Sequence, residues 1–143
     1  MKNDPLKIAL HYLKFRPRSI FEVEEKLKKK KISSEEIDKV ITVLKKNQLL
    51  DDEKFAKMWV ADRNLLKPTG SYLLKLELKK FGIAEEIIEN ALDGQDEEKQ
   101  AKLALESKSR LKDASFEKKA GFLQRRGFKI ETIYKVLKLS HCL

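Results

Sequence analysis

One cysteine, three prolines and five glycines are all that 143 residues contain of the residues that bridge or break a chain. A single thiol, Cys142, excludes an internal disulfide framework. So few breakers leave long stretches free to form helices joined by short polar turns. Alternating β-branched runs and Asn-Gly hairpin signals are missing, which argues against strands. Apolar runs reach only a few residues, so none is long enough to cross a bilayer. The opening MKNDPLK lacks the pattern of a signal peptide. With the lone cysteine, this makes the cytoplasm the expected location and leaves no membrane partner.

What is present is charge on an adequate apolar base. Hydrophobic residues make up 41% of the chain and charged residues 38%, with a formal net charge of +9. The charge is unevenly spread: residues 1–48 carry net +6, residues 49–94 net −2 and residues 95–143 net +5. Basic ends around an acidic middle point to a polyanion touched at both ends. A solvated, lysine-rich surface explains the same numbers without any partner.

The grammar of the chain is clearest from Leu49 to Ile83. Acidic Asp51, Asp52 and Glu53 open a helical run with Phe55, Ala56, Trp59, Val60 and Arg63 on one face. The break Lys67-Pro68-Thr69-Gly70 follows. A second helical run carries Leu73, Leu74 and Leu78 and stops at Gly82. The pattern recurs on both sides. Leu27, Leu78 and Leu123 align, each followed five residues later by Ile32, Ile83 or Phe128. Next comes an acidic helix start with Ile37, Ile87 or Ile133, and a tail of Val40-Ile41, Ala91-Leu92 or Val136-Leu137. Ala9, Ala56 and Ala101 share a slot upstream, at offsets of 47 and 45 residues. The reading is all-α: three tandem three-helix repeats, residues 1–48, 49–94 and 95–143, forming an elongated, curved helical stack. Units this small are expected to share their apolar faces with their neighbours.

Capping chemistry supports the count. Asp4 before Pro5, the cluster Asp51 to Glu53, and Asp96-Glu97-Glu98 start the first helix of each unit. Ser19 with Glu22 and Ser33 with Glu36 fit the capping box. Gly70-Ser71 and the segment Asp113 to Ser115 serve the second helices of the later units. Gly82 and Gly127 suit the left-handed position after a helix, and Lys31 aligns with them. Lys31 is therefore expected to be left-handed, at a cost of about 1 kcal/mol.

No pattern of residues points to catalysis, a metal or a cofactor. The acids of residues 51–53 are better explained as helix caps than as ligands. His11 has no ligand set one turn away, and His141 beside Cys142 is too few donors for zinc. No glycine-rich phosphate loop or activated nucleophile is present. The basic clusters are the better candidates. Lys28, Lys29, Lys30 and Lys31 end one second helix, Lys79-Lys80 and Arg125-Arg126 the others. Each favours the negative end of a helix dipole by a few tenths of a kcal/mol, roughly. Together they also form a recurring cationic edge. Arg16 and Arg18 flank Pro17 in a loop, where capping does not explain them and a planar guanidinium suits phosphate or carboxylate. The candidate DNA or filament contacts are Arg16, Arg18, Lys28, Lys29, Lys30, Lys31, Arg125, Arg126 and Lys129.

These residues also resemble a known family, the RecX recombination regulators. Arg16-Pro17-Arg18-Ser19 with Glu22 and Leu27 is similar to their first repeat. Leu50-Asp51-Asp52 with Phe55-Ala56, Arg63, Gly70, Glu77-Leu78 and Gly82-Ile83 resembles the second. Leu123-Gln124-Arg125-Arg126-Gly127-Phe128 with Ile133 resembles the third. Leu73 and Phe81 stand where the family usually carries basic residues. The resemblance implies tandem three-helix repeats and no catalytic residue or cofactor. It implies binding to the bacterial RecA recombinase and its nucleoprotein filament, with inhibition of ATP hydrolysis and strand exchange in recombination, DNA repair and the SOS response. A monomer that also touches DNA is expected. The other reading is a stand-alone helical DNA- or RNA-binding module.

Overall fold

The structure is a computed structural model that describes residues 4–141, the last three by backbone alone. Cys142 and the side chain of His141 lie outside what it describes. Among the described residues the fold is all-α, without strands. The helices are α1 (Pro5–Phe15), α2 (Ile20–Lys29), α3 (Ser34–Lys46), α4 (Asp52–Leu66), α5 (Ser71–Lys80), α6 (Glu85–Leu92), α7 (Glu97–Glu106), α8 (Phe116–Arg125) and α9 (Ile130–His141). A 3-10 turn, Ser109–Leu111, lies between α7 and α8.

Helix starts follow the capping residues. Asp4, Asp51 and Asp96 accept backbone N–H bonds in the first turns of α1, α4 and α7, at 3.0–3.2 Å. Ser19 and Glu22 form both halves of a capping box. Ser33 forms only one, accepting from the Glu36 N–H at 3.3 Å, while the Glu36 side chain stays in solvent. Lys31 is left-handed at φ 61°, as its alignment with Gly82 (73°) and Gly127 (91°) requires. Gln48 takes the same conformation after α3, at φ 60°, where no glycine marks it.

Buried apolar residues form three separate clusters. Ala9, Val23, Leu27, Ile37, Val40, Ile41, Leu44 and Leu50 hold α1–α3 together. Phe55, Ala56, Val60, Leu74, Leu78, Ile83 and Ile88 hold α4–α6. Ala101, Ala104, Leu111, Phe122, Leu123, Phe128, Ile133, Val136 and Leu137 hold α7–α9. Extensive helix–helix packing runs within these triads. Among the described residues the expected sharing of buried clusters between neighbours is not observed: each triad closes its own core, and apolar side chains reach the neighbouring triad as Phe21 at Gly82 and Leu73 at Gly127.

Two points of register differ from the sequence reading. Ile88, fully buried, fills the slot of Ile37 and Ile133, and Ile87 is only half-buried. Ala84, which precedes α6, gives no side-chain cap. With two adjacent isoleucines, the pattern alone did not fix which one turns inward. The repeat is also less regular than 47 and 45. Leu27 and Leu78 lie 51 positions apart. Helix α4 has 15 residues where α1 has 11, and four residues are about one turn. Helix α7 is back to 10 residues, with the 3-10 turn completing the path to α8.

Candidate functional site at the joints between helix triads

The triads meet through polar contacts at the ends of their middle helices. At the first joint the N-terminus of α2 meets the C-terminus of α5. Ser19, completely buried, donates its hydroxyl to the Phe81 carbonyl at 2.7 Å. The first N–H of α2, on Ile20, donates to Asp52, the first residue of α4, at 2.9 Å. A side chain on Gly82 would place its Cβ 2.4 Å from Cβ of Phe21, so only glycine lets the two helices meet.

The second joint repeats this plan with different atoms. The N-terminus of α5 meets the C-terminus of α8. The Gly70 N–H donates to the Arg126 carbonyl at 2.8 Å, and the Tyr72 N–H to the Gly127 carbonyl at 3.2 Å. The Ser71 N–H donates to Glu97, the first residue of α7, at 2.9 Å. A Cβ on Gly127 would lie 2.3 Å from Cβ of Leu73, and one on Gly70 2.1 Å from the Gly127 oxygen. Gln95 extends the joint, donating to the Thr69 carbonyl at 3.1 Å and accepting from Asn64 at 2.8 Å. In both joints a carboxylate takes a helix-start N–H that would otherwise lack a partner.

The sequence-derived candidates divide on this geometry. Arg16 pairs with Glu22, donates to the Pro17 carbonyl at 2.7 Å and lies 5.6 Å from the Phe81 ring centre across the joint. Arg18 lies 3.9 Å from the Tyr12 ring centre, and only 14% of its side chain is exposed. The loop arginines thus brace α1, α2 and the first joint. Arg126 is half-buried, donates to the Pro68 carbonyl and faces the Phe122 ring at 5.7 Å. Burial, with help from the charge of Arg63, holds its guanidinium below its ordinary pKa. These three are framework as much as surface. Lys28 pairs with Glu25 at 3.3 Å and remains exposed. Lys29, Lys30, Lys31, Arg125 and Lys129 are exposed, their charges turned to solvent. The two exposed sets sit at different places: the four lysines at the outer end of α2, Arg125 and Lys129 beside the second joint. Lys129 shares an open groove of about 640 Å3 with Tyr72, Lys75 and Lys79.

The pattern missed a half-buried polar centre. Glu77 on α5 receives Arg63 through two bonds of 2.9 and 2.7 Å, and Trp59 Nε1 at 2.9 Å. Burial pushes the Glu77 carboxyl up, but the bonds from Arg63 and Trp59 outweigh it and hold the carboxyl below its ordinary pKa. Glu77 raises Arg63 in turn. Arg63 stands on the face of one helical run and Glu77 in the next, but only the packing of α4 on α5 reveals them as partners. Asp52 is raised by burial, against the lowering bond from Ile20. Among the described residues, no group of three or more His, Cys, Asp or Glu is placed to hold a metal ion. None of these helices is long and apolar enough to cross a membrane.

Comparison with known proteins gives one consistent result. Residues 6–44 match the family profile described as RecX, first three-helix domain, and residues 51–92 that of RecX, second three-helix domain. A regulatory protein RecX of Chlorobaculum tepidum is 37% identical over 142 residues, covering 96% of this chain and 89% of its own. One from Thermotoga maritima is 41% identical over 140 residues, covering 93% of this chain and 82% of its own. The crystal structure of RecX from Lactobacillus salivarius superimposes with a TM-score of 0.86 at 25% identity, covering 97% of this chain and 96% of that one.

Proposed function

The chain belongs to the RecX family of regulatory proteins, and from that membership we propose that it binds a RecA recombinase and its DNA filament and inhibits ATP hydrolysis and strand exchange. The observation that carries this is the pair of family domains in order, with relatives named regulatory protein RecX matched over nearly the whole chain. The reading assigns no catalytic step, metal or cofactor. It takes the chain as a cytoplasmic monomer of three units, residues 1–48, 49–94 and 95–143. Three separate cores joined at polar joints support the division. DNA is a second contact, through Lys28, Lys29, Lys30, Lys31, Arg125 and Lys129. Arg16, Arg18 and Arg126 hold the surface in place and lend charge to it.

A stand-alone nucleic-acid module is the competing reading, favoured by the net charge of +9. The acidic middle unit speaks against it, since a dedicated polyanion binder gains from basic charge throughout. One assay separates them: recombinase ATPase on single-stranded DNA, with and without this protein. Inhibition below the protein concentration needed to coat the DNA is expected. An ATPase rate that falls only when free DNA is exhausted identifies a DNA binder instead.

A further inference from the structure

The joint between triads is head-to-tail: the N-terminus of one middle helix meets the C-terminus of the next. Two different surfaces are matched in such a contact, so it propagates without limit unless its outer faces are altered. The two internal joints define what is required. The receiving side supplies a glycine just past its middle helix, Gly82 or Gly127, with no room for a Cβ. It also supplies a carboxylate on the first residue of its leading helix, Asp52 or Glu97. The presenting side supplies an apolar side chain in the first turn of its middle helix, Phe21 or Leu73, against that glycine.

Both outer faces depart from these requirements. At the C-terminal end of α2 the glycine position holds Lys31, left-handed and exposed. The carboxylate position holds Pro5, the first residue of α1. At the N-terminal end of α8 the positions of Phe21 and Leu73 hold Glu117 and Lys118, both exposed. We propose that these substitutions close the outer faces to the joint, so that the chain does not stack end to end on a second copy of itself. Lys31 acts by bulk, since a side chain stands where the joint has no room for a Cβ. Pro5 acts by removing the acceptor that Asp52 and Glu97 supply at the two internal joints. Glu117 and Lys118 act by charge, since the joint would have to strip both of water.

The test restores each face separately. One variant combines Pro5→Glu with Lys31→Gly, the other Glu117→Phe with Lys118→Leu. Helicity and a cooperative melt establish that each is folded, and sedimentation equilibrium reads the mass. Wild type and each variant alone are expected at the mass of one chain. Their mixture is expected to give the mass of two chains and stop there. The chain carrying all four changes is expected to gain mass continuously with concentration. Folded variants that stay single when mixed overturn the proposal, as does a wild-type mass that rises with concentration. Gly82→Lys places the stop inside the protein and tests it without any association. Trypsin cleavage is expected to rise between Lys46 and Lys54 while helicity is retained. Unchanged cleavage, or cleavage spread through α4–α6, shows that the glycine does not serve the joint, and overturns the proposal equally.

Discussion

Gly82 and Lys31 share a left-handed backbone and differ in what stands opposite them. Gly82 faces Phe21 across the first joint, where a Cβ would come within 2.4 Å of a side-chain carbon, whereas Lys31 is exposed. The same conformation therefore predicts opposite mutational signs. Gly82→Ala is expected to lower stability by about 1–3 kcal/mol, from strain at φ > 0 plus forced separation of α2 from α5. Lys31→Gly is expected to be neutral or stabilising by up to about 1 kcal/mol. Urea midpoints of the two variants check the pair. The shared backbone was legible, because the three residues align. The packing reason was not, because Phe21 lies far from Gly82 in sequence. Two carboxylates also differ in sign. Glu77 is held below its ordinary pKa, so its stabilisation is present above the unfolded value of about 4.3 and is lost as pH falls through the lower folded value. Glu77→Gln is expected to cost about 1.5–3 kcal/mol at neutral pH, by leaving Arg63 without its counter-charge, and to flatten the acid limb of stability. Asp52 is raised, so the fold binds its proton more tightly than the unfolded chain does. That gain is present at low pH and is lost as pH rises through the folded value. Asp52→Asn keeps an oxygen for the Ile20 N–H and is expected to leave neutral-pH stability unchanged or slightly raised. Stability measured across pH distinguishes the two carboxylates.

Helix α4 shows what one added turn does for a repeat. Its 15 residues carry it past the length of α1 to Arg63 and Asn64. Arg63 locks α4 to α5 through Glu77. Asn64 accepts from the Thr69 N–H at 2.8 Å and donates to Gln95 at 2.8 Å, so one side chain holds both the 67–70 connection and the second joint. Thr69, 1% exposed, completes that turn by donating its hydroxyl to the Lys67 carbonyl at 2.7 Å. Asn64→Ala is expected to cost about 1–2 kcal/mol, by leaving a buried N–H unpaired. Faster amide exchange is expected at residues 67–71, with little change in α1–α3. Exchange that rises equally in the first triad would show that Asn64 supports the whole chain rather than this joint. Helix existence and caps were legible because they depend on neighbours within a few residues. The length of α4 was not, since Leu65 and Leu66 look apolar in sequence yet are 85% and 78% exposed. A polar side chain, not apolar burial, makes the last turn useful.

At the scale of the molecule, exposed charges on different triads are nearly independent, although at the second joint Arg63 still acts on Arg126. Charges in different units act separately once they are farther apart than the screening length, about 8 Å at physiological salt. The unequal charge of the units was legible, because net charge needs no structure. Which cations are spent on the framework was not, because Arg16, Arg18 and Arg126 find their partners only after the chain folds. Removing Arg126 takes a donor from the Pro68 carbonyl, so weaker DNA binding there would mix folding with recognition. The clean test uses exposed cations. Lys28, Lys29, Lys30 and Lys31 changed to Gln form one set, and Arg125 and Lys129 changed to Gln form another. Removal of one phosphate-bound cation is expected to reduce the slope of log affinity against log salt by roughly 0.9 on duplex DNA and about 0.7 on single strands. Both sets should weaken binding at low salt and flatten its salt dependence, with melting temperatures close to wild type. A third set, Lys75, Lys79 and Lys80, is expected to do much less, since the middle unit is net acidic and Lys75 is already 3.5 Å from Glu85. Equal weakening by all three sets would remove the division between DNA-facing ends and a protein-facing middle. A wild type that binds no DNA at low salt would leave the recombinase as the partner these lysines must be tested against.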